Sequence, residues 1–393
     1  MSISIAIVIP TRNRPHEAMM AVRALAAQDA PLEIFLCDNS ASARPLRDFC
    51  RRFPRVTYLR PEREVAMGRN WDWAINEAMR LSSATHFSIH YDRKVSVPGA
   101  WAALADIAAA HPDTLISFPV DHIGHEPPPL RLWQTPWTGK VFGVSTRRVS
   151  TLVSTGCVTE ICHALPVFSN CFVPRRILES VRERFDTVCD SIAPDGAFMC
   201  RFFTFEDEYL HYDRPLGILH ASLRSNGLGY LRGKGGDFAD FVRLSGNESW
   251  LDAAPVPGIN LGNNMLYHEY ELVRRGSGRK LPPFDRPAIL RDLGSALRWI
   301  AEPALAEELT AVLRAAGWDG EPPQPLPGQT REQAMYQRAM QWRIRWLRKK
   351  PETITGFSFR SDRQALKWAL RYPRKPQQDH QHLALLEPRD LTR

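Results

Sequence analysis

The chain runs to 393 residues, 44% of them apolar and 24% charged, a balance that excludes a disordered polypeptide and leaves room for two or three domains at roughly 150 residues each. Its formal net charge of +8 points to an anionic partner, with nucleic acid, an acidic membrane face and a diphosphate-bearing substrate all compatible. Seven scattered cysteines without a Cys-x-x-Cys pair argue against a zinc or redox centre and for a reducing compartment in which they act as small buried hydrophobes.

In chain order, "SISIAIVIP" is a β-branched run closed by Pro10, the pattern of a strand buried on both faces. It carries no basic leader and is far shorter than the ~18 residues of a membrane span, so it reads as a strand and not as a signal. No other stretch reads as a span. "RPHEAMMAVRALAAQ" repeats Ala18, Val22 and Leu25 at helical spacing, and "PLEIFLCDNS" is a second strand ending in an Asp-Asn-Ser turn. A third strand, "RVTYLRP", precedes a helix, "GRNWDWAINEAMRLSS", and a fourth strand, "THFSIHYD". The helix "PGAWAALADIAAAHP" and a fifth strand, "TLISFPV", complete the series. Strands alternating with helices of this length imply right-handed crossovers and a mostly parallel sheet flanked by helices.

The alternation fades near residue 125. "VFGVSTRRVSTLVSTG" and "PVFSNCFVPRRILESVRERF" each read as a strand feeding a helix, "DGAFMCRFFTF" as a helix, and "PLGILHASL" as a strand entering the Gly-rich loop "RSNGLGYLRGKGG". Beyond residue 250 the pattern is helical. The expected organisation is an α/β domain over 1–250, with halves of about 1–125 and 126–250. A helical extension over 251–320, a Pro-rich linker over 321–330 and a basic, Trp-containing helical tail over 331–393 follow.

Ligands of open α/β sheets bind beyond the carboxyl ends of the strands. Three polar clusters fall there: Thr11-Arg12-Asn13-Arg14 after the first strand, Asp38-Asn39-Ser40 after the second, and Asp92-Arg93-Lys94 after the fourth. They combine hydrogen-bonding groups suited to a base or ribose with cations suited to phosphate. Neither a G-x-G-x-x-G turn nor a Walker A lysine motif occurs, so dinucleotide-binding and P-loop readings lose their main support.

The ordered segments "SIAIVIPTRNRP", "LCDNS", "GRNWDWAINEA" and "FSIHYDRKVSVPGAW" resemble the first half of a family-2, inverting glycosyltransferase of the GT-A fold. "PDGAFMCRFF" followed by "YLHYDRPLGILHASLRSNG" is similar to that family's acceptor half, and the resemblance spans about residues 3 to 235. It implies a Rossmann-like GT-A domain with a helical C-terminal extension. It also implies donor-nucleotide contacts at Pro10, Thr11, Arg12, Asn13, Asp38, Gly68, Asn70, Asp92, Arg93 and Lys94. An aspartate opening the acceptor-side helix would be the general base, here Asp195, although an aspartate at a helix start also serves as a cap. His220, Arg224 and Asn226 match a segment that closes over the diphosphate; a lone structural histidine and a plain surface loop are the alternatives. Glu206, Asp207 and Glu208 form a charge run of the kind that is usually a solvated face.

In that family a run of aspartates holds a divalent ion against the diphosphate. Only Asp92 of the run is present, between Tyr91 and the cations Arg93 and Lys94. Negative charge builds on the β-phosphate as the sugar leaves, and Arg93 with Lys94 would supply the double positive charge of the ion. Mg or Mn is therefore expected to be weakly needed or dispensable, with Asp92 the sole metal candidate. The alternative is a surface Asp92–Lys94 ion pair of little worth.

Basic residues outnumber acidic ones between Arg331 and Lys375, interleaved with Trp342, Trp346 and Trp368. Peripheral contact with an anionic membrane ranks above nucleic acid, which is not expected as a partner. A helix packing its tryptophans on the domain is equally consistent. The expectation is a cytoplasmic, bacterial-type transferase acting at the inner face of a membrane, with a nucleotide-sugar donor and a carbohydrate or glycolipid acceptor. The rival is a non-catalytic nucleotide- or glycan-binding protein on a decayed scaffold.

Overall fold

The structure is a computed structural model. It describes all residues except 1–2, 125–129, 221–242, 245–250, 278–280, 301, 325–334, 336–338, 343–345, 347–356, 360–361 and 392–393. The alternating half is as the sequence predicts except for α2, a helix the sequence reading did not place: β1 (Ile5–Thr11), α1 (Pro15–Ala26), β2 (Leu32–Asp38), α2 (Arg44–Cys50), β3 (Val56–Leu59), α3 (Met67–Leu81) and β4 (His86–Ile89). Next come β5 (Lys94–Ser96), α4 (Ala100–Ala110), β6 (Ile116–Ser117), β7 (Asp121–Gly124), β8 (Arg131–Trp133), β9 (Val141–Ser145), α5 (Thr146–Ser154) and α6 (Val158–Ile161). They are followed by β10 (Cys171–Pro174), α7 (Arg175–Phe185), α8 (Pro194–Phe202), β11 (Glu208–Tyr212) and β12 (Gly217–His220). Helices Asn264–Gly276, Arg286–Ala296 and Pro303–Ala315, then β13 (Phe357–Ser358), a helix over Asp362–Arg371 and β14 (Arg389–Asp390), complete the described elements.

Nine strands form a central sheet in the order β14-β9-β11-β6-β10-β4-β1-β2-β3. The pairings β3–β2, β2–β1 and β1–β4 are parallel, and only β10 and β9 run against the rest. This is a mixed α/β fold with a mostly parallel sheet flanked by helices. The continuous apolar run of β1 has a direct cause. Side chains alternate across a strand, so Ala6 and Val8 enter the core against α3, α7 and α8, while Ile5, Ile7 and Ile9 face α1 and α4 on the other side. Both sheet faces are covered, and each Ile or Val of β1 hidden in this way contributes about 1.5–3 kcal/mol.

A second sheet, β13-β8-β7-β12-β5, escapes the sequence pattern apart from β12, which falls in the predicted strand "PLGILHASL", because its strands are short and β5 contains a buried lysine. The helices after residue 251 have no core of their own. Val256, Tyr267, Tyr270, Ile289, Leu293 and Leu313 pack into the cluster that also holds Trp71, Phe198 and Phe202.

The tail departs from a uniform basic helix. β14 is hydrogen-bonded to β9, Lys140 pairs with Asp390 at 2.8 Å, and His382 Nε2 lies 2.9 Å from the buried Asp213 carboxylate. Trp368 is only 3% exposed, packed with Phe359, Tyr372 and Leu132. It is therefore a core residue and not part of a membrane-facing set. Among the described residues no helix is long and apolar enough to cross a membrane, and all seven cysteines are free.

Candidate functional site

The carboxyl ends of β1, β2 and β4 open into one cleft of about 580 Å³. Its walls are the turn Pro10–Arg14, Asn39, the first turns of α3 with Asn70 and Trp71, Tyr91–Arg93, the start of α8 with Asp195, and the loop and helix around Asn260–Leu266.

The first turn is fixed by its own side chains. Asn13 adopts φ 55°, a left-handed conformation that asparagine tolerates better than most residues. Its backbone N–H donates to Ser40 Oγ (2.7 Å) and its Oδ1 accepts from the Ala41 N–H (3.0 Å), which ties the turns after β1 and β2 together. Asn39 uses both ends of its amide on Val65, donating to the carbonyl (2.8 Å) and accepting from the N–H (3.1 Å), as a strand partner would.

Asp92 lies at the centre of the charge. The Thr11 hydroxyl donates to it at 2.8 Å, Arg14 pairs with it at 3.5 Å, and Arg93 lies 4.0 Å away. Arg93 also spans the Tyr91 ring at 5.9 Å. Burial lowers the Arg93 pKa from its ordinary value, against the pull of Asp92. Arg12 pairs with Glu64 at 2.6 Å. The described lining thus carries three guanidinium groups and the two carboxylates Asp92 and Asp195, a set suited to an anionic ligand.

Asp195 sits in the first turn of α8, whose cap position is Ala193. Its Oδ1 accepts from the Gly196 N–H at 3.0 Å, and the Tyr91 hydroxyl donates to its Oδ2. Burial first, and then the charge of Asp195, raise the Tyr91 phenol well above its ordinary value, so it remains a donor. Behind this turn the buried Glu269 accepts from Ser191 Oγ (2.6 Å) and the Ala193 N–H (2.9 Å), and burial pushes its carboxyl up to about 7.

Several sequence expectations meet a different geometry. Asp92 and Arg93 form the corner of a turn closed by the Lys94 N–H donating to the Tyr91 carbonyl at 3.0 Å, and Lys94 is the first residue of β5, so the two cations leave the chain in different directions. Arg93 therefore reaches the cleft while Lys94, 1% exposed, turns into the core and donates from Nζ to the Ser169 carbonyl. Burial drags its ammonium down to about 7. The expected placement of Arg93 and Lys94 together in the cleft is corrected: Lys94 is buried away from it, and Arg14 and Arg93 are the cations that meet Asp92 there.

Asp38 is fully buried, accepting from Tyr58 Oη (2.9 Å) and the Ser40 N–H (3.0 Å). It braces the second turn, and its neighbour Asn39 lines the cleft instead. Gly68 lies outside the cleft as well; a Cβ there would stand 2.0 Å from the Ser191 carbonyl oxygen, so glycine lets α3 start against the 190s segment. Asn70 is buried and does line the cleft. His220 ends β12 beside Arg93, its N–H donating to the Arg93 carbonyl at 3.0 Å, but its side chain is not part of the described lining. Arg224 and Asn226 lie outside the described residues.

The donor set of the described residues does not fit a divalent ion. No group of three His, Cys, Asp or Glu able to hold a metal occurs among the described residues, and Asp92 has two guanidinium groups within 4.0 Å. Two unit charges 4 Å apart interact by about 4 kcal/mol at an effective dielectric of 20, and a doubly charged ion beside two such cations would be repelled more strongly.

A mixed α/β fold with a polar cleft at the strand ends defines the class of protein. Neither a protein-family model nor a curated protein matches the sequence. Among solved structures, residues 1–349 of S. aureus TarS in complex with UDP-GlcNAc superpose with a TM-score of 0.45 at 12% identity, covering 80% of this chain and 88% of that one. The same TarS segment in complex with UDP gives 0.44 at 12% identity with the same coverage. The longer TarS structure also gives 0.44, and the chain spans 53% of its length.

Proposed function

We propose that the protein is an inverting glycosyltransferase that moves a sugar from a nucleoside-diphosphate sugar to a hydroxyl of a carbohydrate or glycolipid acceptor, without a metal ion, on the cytoplasmic side. The observation that carries this reading is that Asp195, held by Tyr91, lines the same cleft as Arg14 and Arg93. The family resemblance of the ordered sequence segments adds to it.

In this mechanism Asp195 takes the proton of the acceptor hydroxyl. The freed oxygen lone pair forms the bond to the anomeric carbon as the bond from that carbon to the phosphate oxygen breaks. The leaving electron pair settles on the β-phosphate, where Arg14 and Arg93 stabilise it by charge. Asp92 accepts from the Thr11 hydroxyl and forms ion pairs with Arg14 and Arg93, and so holds the cations in place before the donor arrives.

The test is calorimetric titration of the purified protein with UDP, GDP, CDP and TDP, each with manganese and again with EDTA. Tight binding of one diphosphate that EDTA leaves unchanged is the expected result. Binding that requires manganese would overturn the metal-free mechanism, and no binding of any diphosphate would overturn the transferase reading.

A further inference from the structure

The most exposed large apolar side chains among the described residues are Trp346, Trp342 and Met335, at 74%, 71% and 61% exposure. Residues 339–342 are helical, as are Met335 and Trp346. Within the helical stretch 339–342, at 3.6 residues per turn, Met340 projects about 160° away from Trp342. Met340 is the inward side, packed on the cluster of Ile123, Leu132, Ile218 and Trp368. Met340 thus anchors its helical stretch to the domain, while two indoles and a thioether are displayed to solvent.

The surrounding sequence states the chemistry of the partner. Between residues 333 and 351 there is no Asp or Glu, and there are six cations: Arg338, Arg343, Arg345, Arg348, Lys349 and Lys350. Tryptophan prefers the boundary between hydrocarbon and water, and basic residues close to it are drawn to anionic headgroups. We propose that the Met335–Trp342–Trp346 face docks on an anionic lipid surface, with the indoles at the headgroup level and the flanking cations paired to lipid phosphates. Met335 favours lipid over nucleic acid, since a thioether adds apolar burial but gives no plane for a base to stack on. Met340 shares its cluster with Ile218 of β12, the strand that ends beside Arg93, so docking would hold the cleft at a fixed height over the bilayer.

The experiment is co-sedimentation of the full chain with phosphatidylcholine vesicles and with vesicles also containing phosphatidylglycerol, in low and raised salt. The expected result is binding to the anionic vesicles only, weakened by salt, and weakened about tenfold or more in the W342A/W346A variant. Both positions are exposed, so nucleoside-diphosphate binding by the variant serves as the folding control and should be unchanged. Failure to sediment with anionic vesicles overturns the proposal, as does binding that the double substitution leaves intact. Loss in the variant of binding to a short single-stranded RNA, with vesicle binding untouched, would assign the face to nucleic acid instead.

Discussion

Replacing Lys94 with methionine separates the two roles that the sequence offers this residue. Its ammonium is buried, 1% exposed, and its pKa is drawn down from 10.5 to about 7 by desolvation. A lysine whose folded pKa is depressed binds fewer protons folded than unfolded between those values. Its contribution to stability is then full above about 10.5 and is lost as pH falls towards 7. At 1.36 kcal/mol per unit, the wild-type protein should gain about 3 kcal/mol between pH 7 and pH 9, and K94M should lack that gain. At pH 7 the methionine removes a charge held against burial but leaves the Ser169 carbonyl without its donor, a loss of about 1–3 kcal/mol. The net expectation is a variant more stable than wild type by about 2 kcal/mol at that pH. Urea unfolding at pH 7, 8 and 9 reads both quantities. Because Lys94 faces away from the cleft, K94M should bind the nucleoside diphosphate within about twofold of wild type, while Arg93→Ala should bind about tenfold or more weakly. Equal pH slopes in the two proteins, or a large loss of diphosphate affinity in K94M, would refute the reasoning.

Asp195→Asn should lower kcat about a thousandfold while donor binding by calorimetry stays intact; unchanged turnover removes Asp195 as the base. Tyr91→Phe deletes the donor on Asp195, and steady-state kinetics should show kcat down about tenfold with the donor KM little changed. Glu269 is raised from 4.5 to about 7 by burial, so its contribution is full below the unfolded value and is lost as pH rises to about 7. Between those limits the wild-type protein should lose about 3 kcal/mol, and thermal melts of Glu269→Gln across the range should show a flatter profile. Gly68→Ala sets a methyl against the Ser191 backbone and should cost about 3 kcal/mol in urea unfolding.

Where a residue's type dictates its surroundings, the sequence reads well. Ile5 to Ile9 can only be a strand covered on both faces, and the polar residues that follow it, Thr11 to Arg14, can only emerge at the strand's end. Arg93 and Lys94 show the opposite case. Both are cations in a polar segment, and composition cannot tell which one the turn leaves at its corner and which one it delivers into the buried strand. Asp38 is hidden for a similar reason: its partner Tyr58 is on the next strand, and nothing local in "LCDNS" announces it. Arg14 and Tyr91 were visible as letters but became site residues only when Asp92 and Asp195, distant in sequence, were brought beside them. β11 was obscured because the strand opens inside the run "FEDEY", and its buried His211 is accommodated by distant Ser117 of β6, 2.9 Å from its Nδ1, and by Asp213, 3.8 Å from its Nε2.

The pairing of β5 with β12 carries a consequence for the cleft's electrostatics. Leu219 faces Lys94, Ile218 faces Val95 and Gly217 faces Ser96, and Gly217 leaves the room that the lysine's methylenes fill, with Lys94 Cγ 3.0 Å from where a Cβ would stand. A slip of one residue in this short ladder would exchange inward and outward side chains. It would send a guanidinium into the core and bring the lysine out to the ligand. The charge in the cleft is thus set by strand register as much as by residue identity, and an insertion between Lys94 and Val97 would rewrite it without changing a single cleft-facing letter.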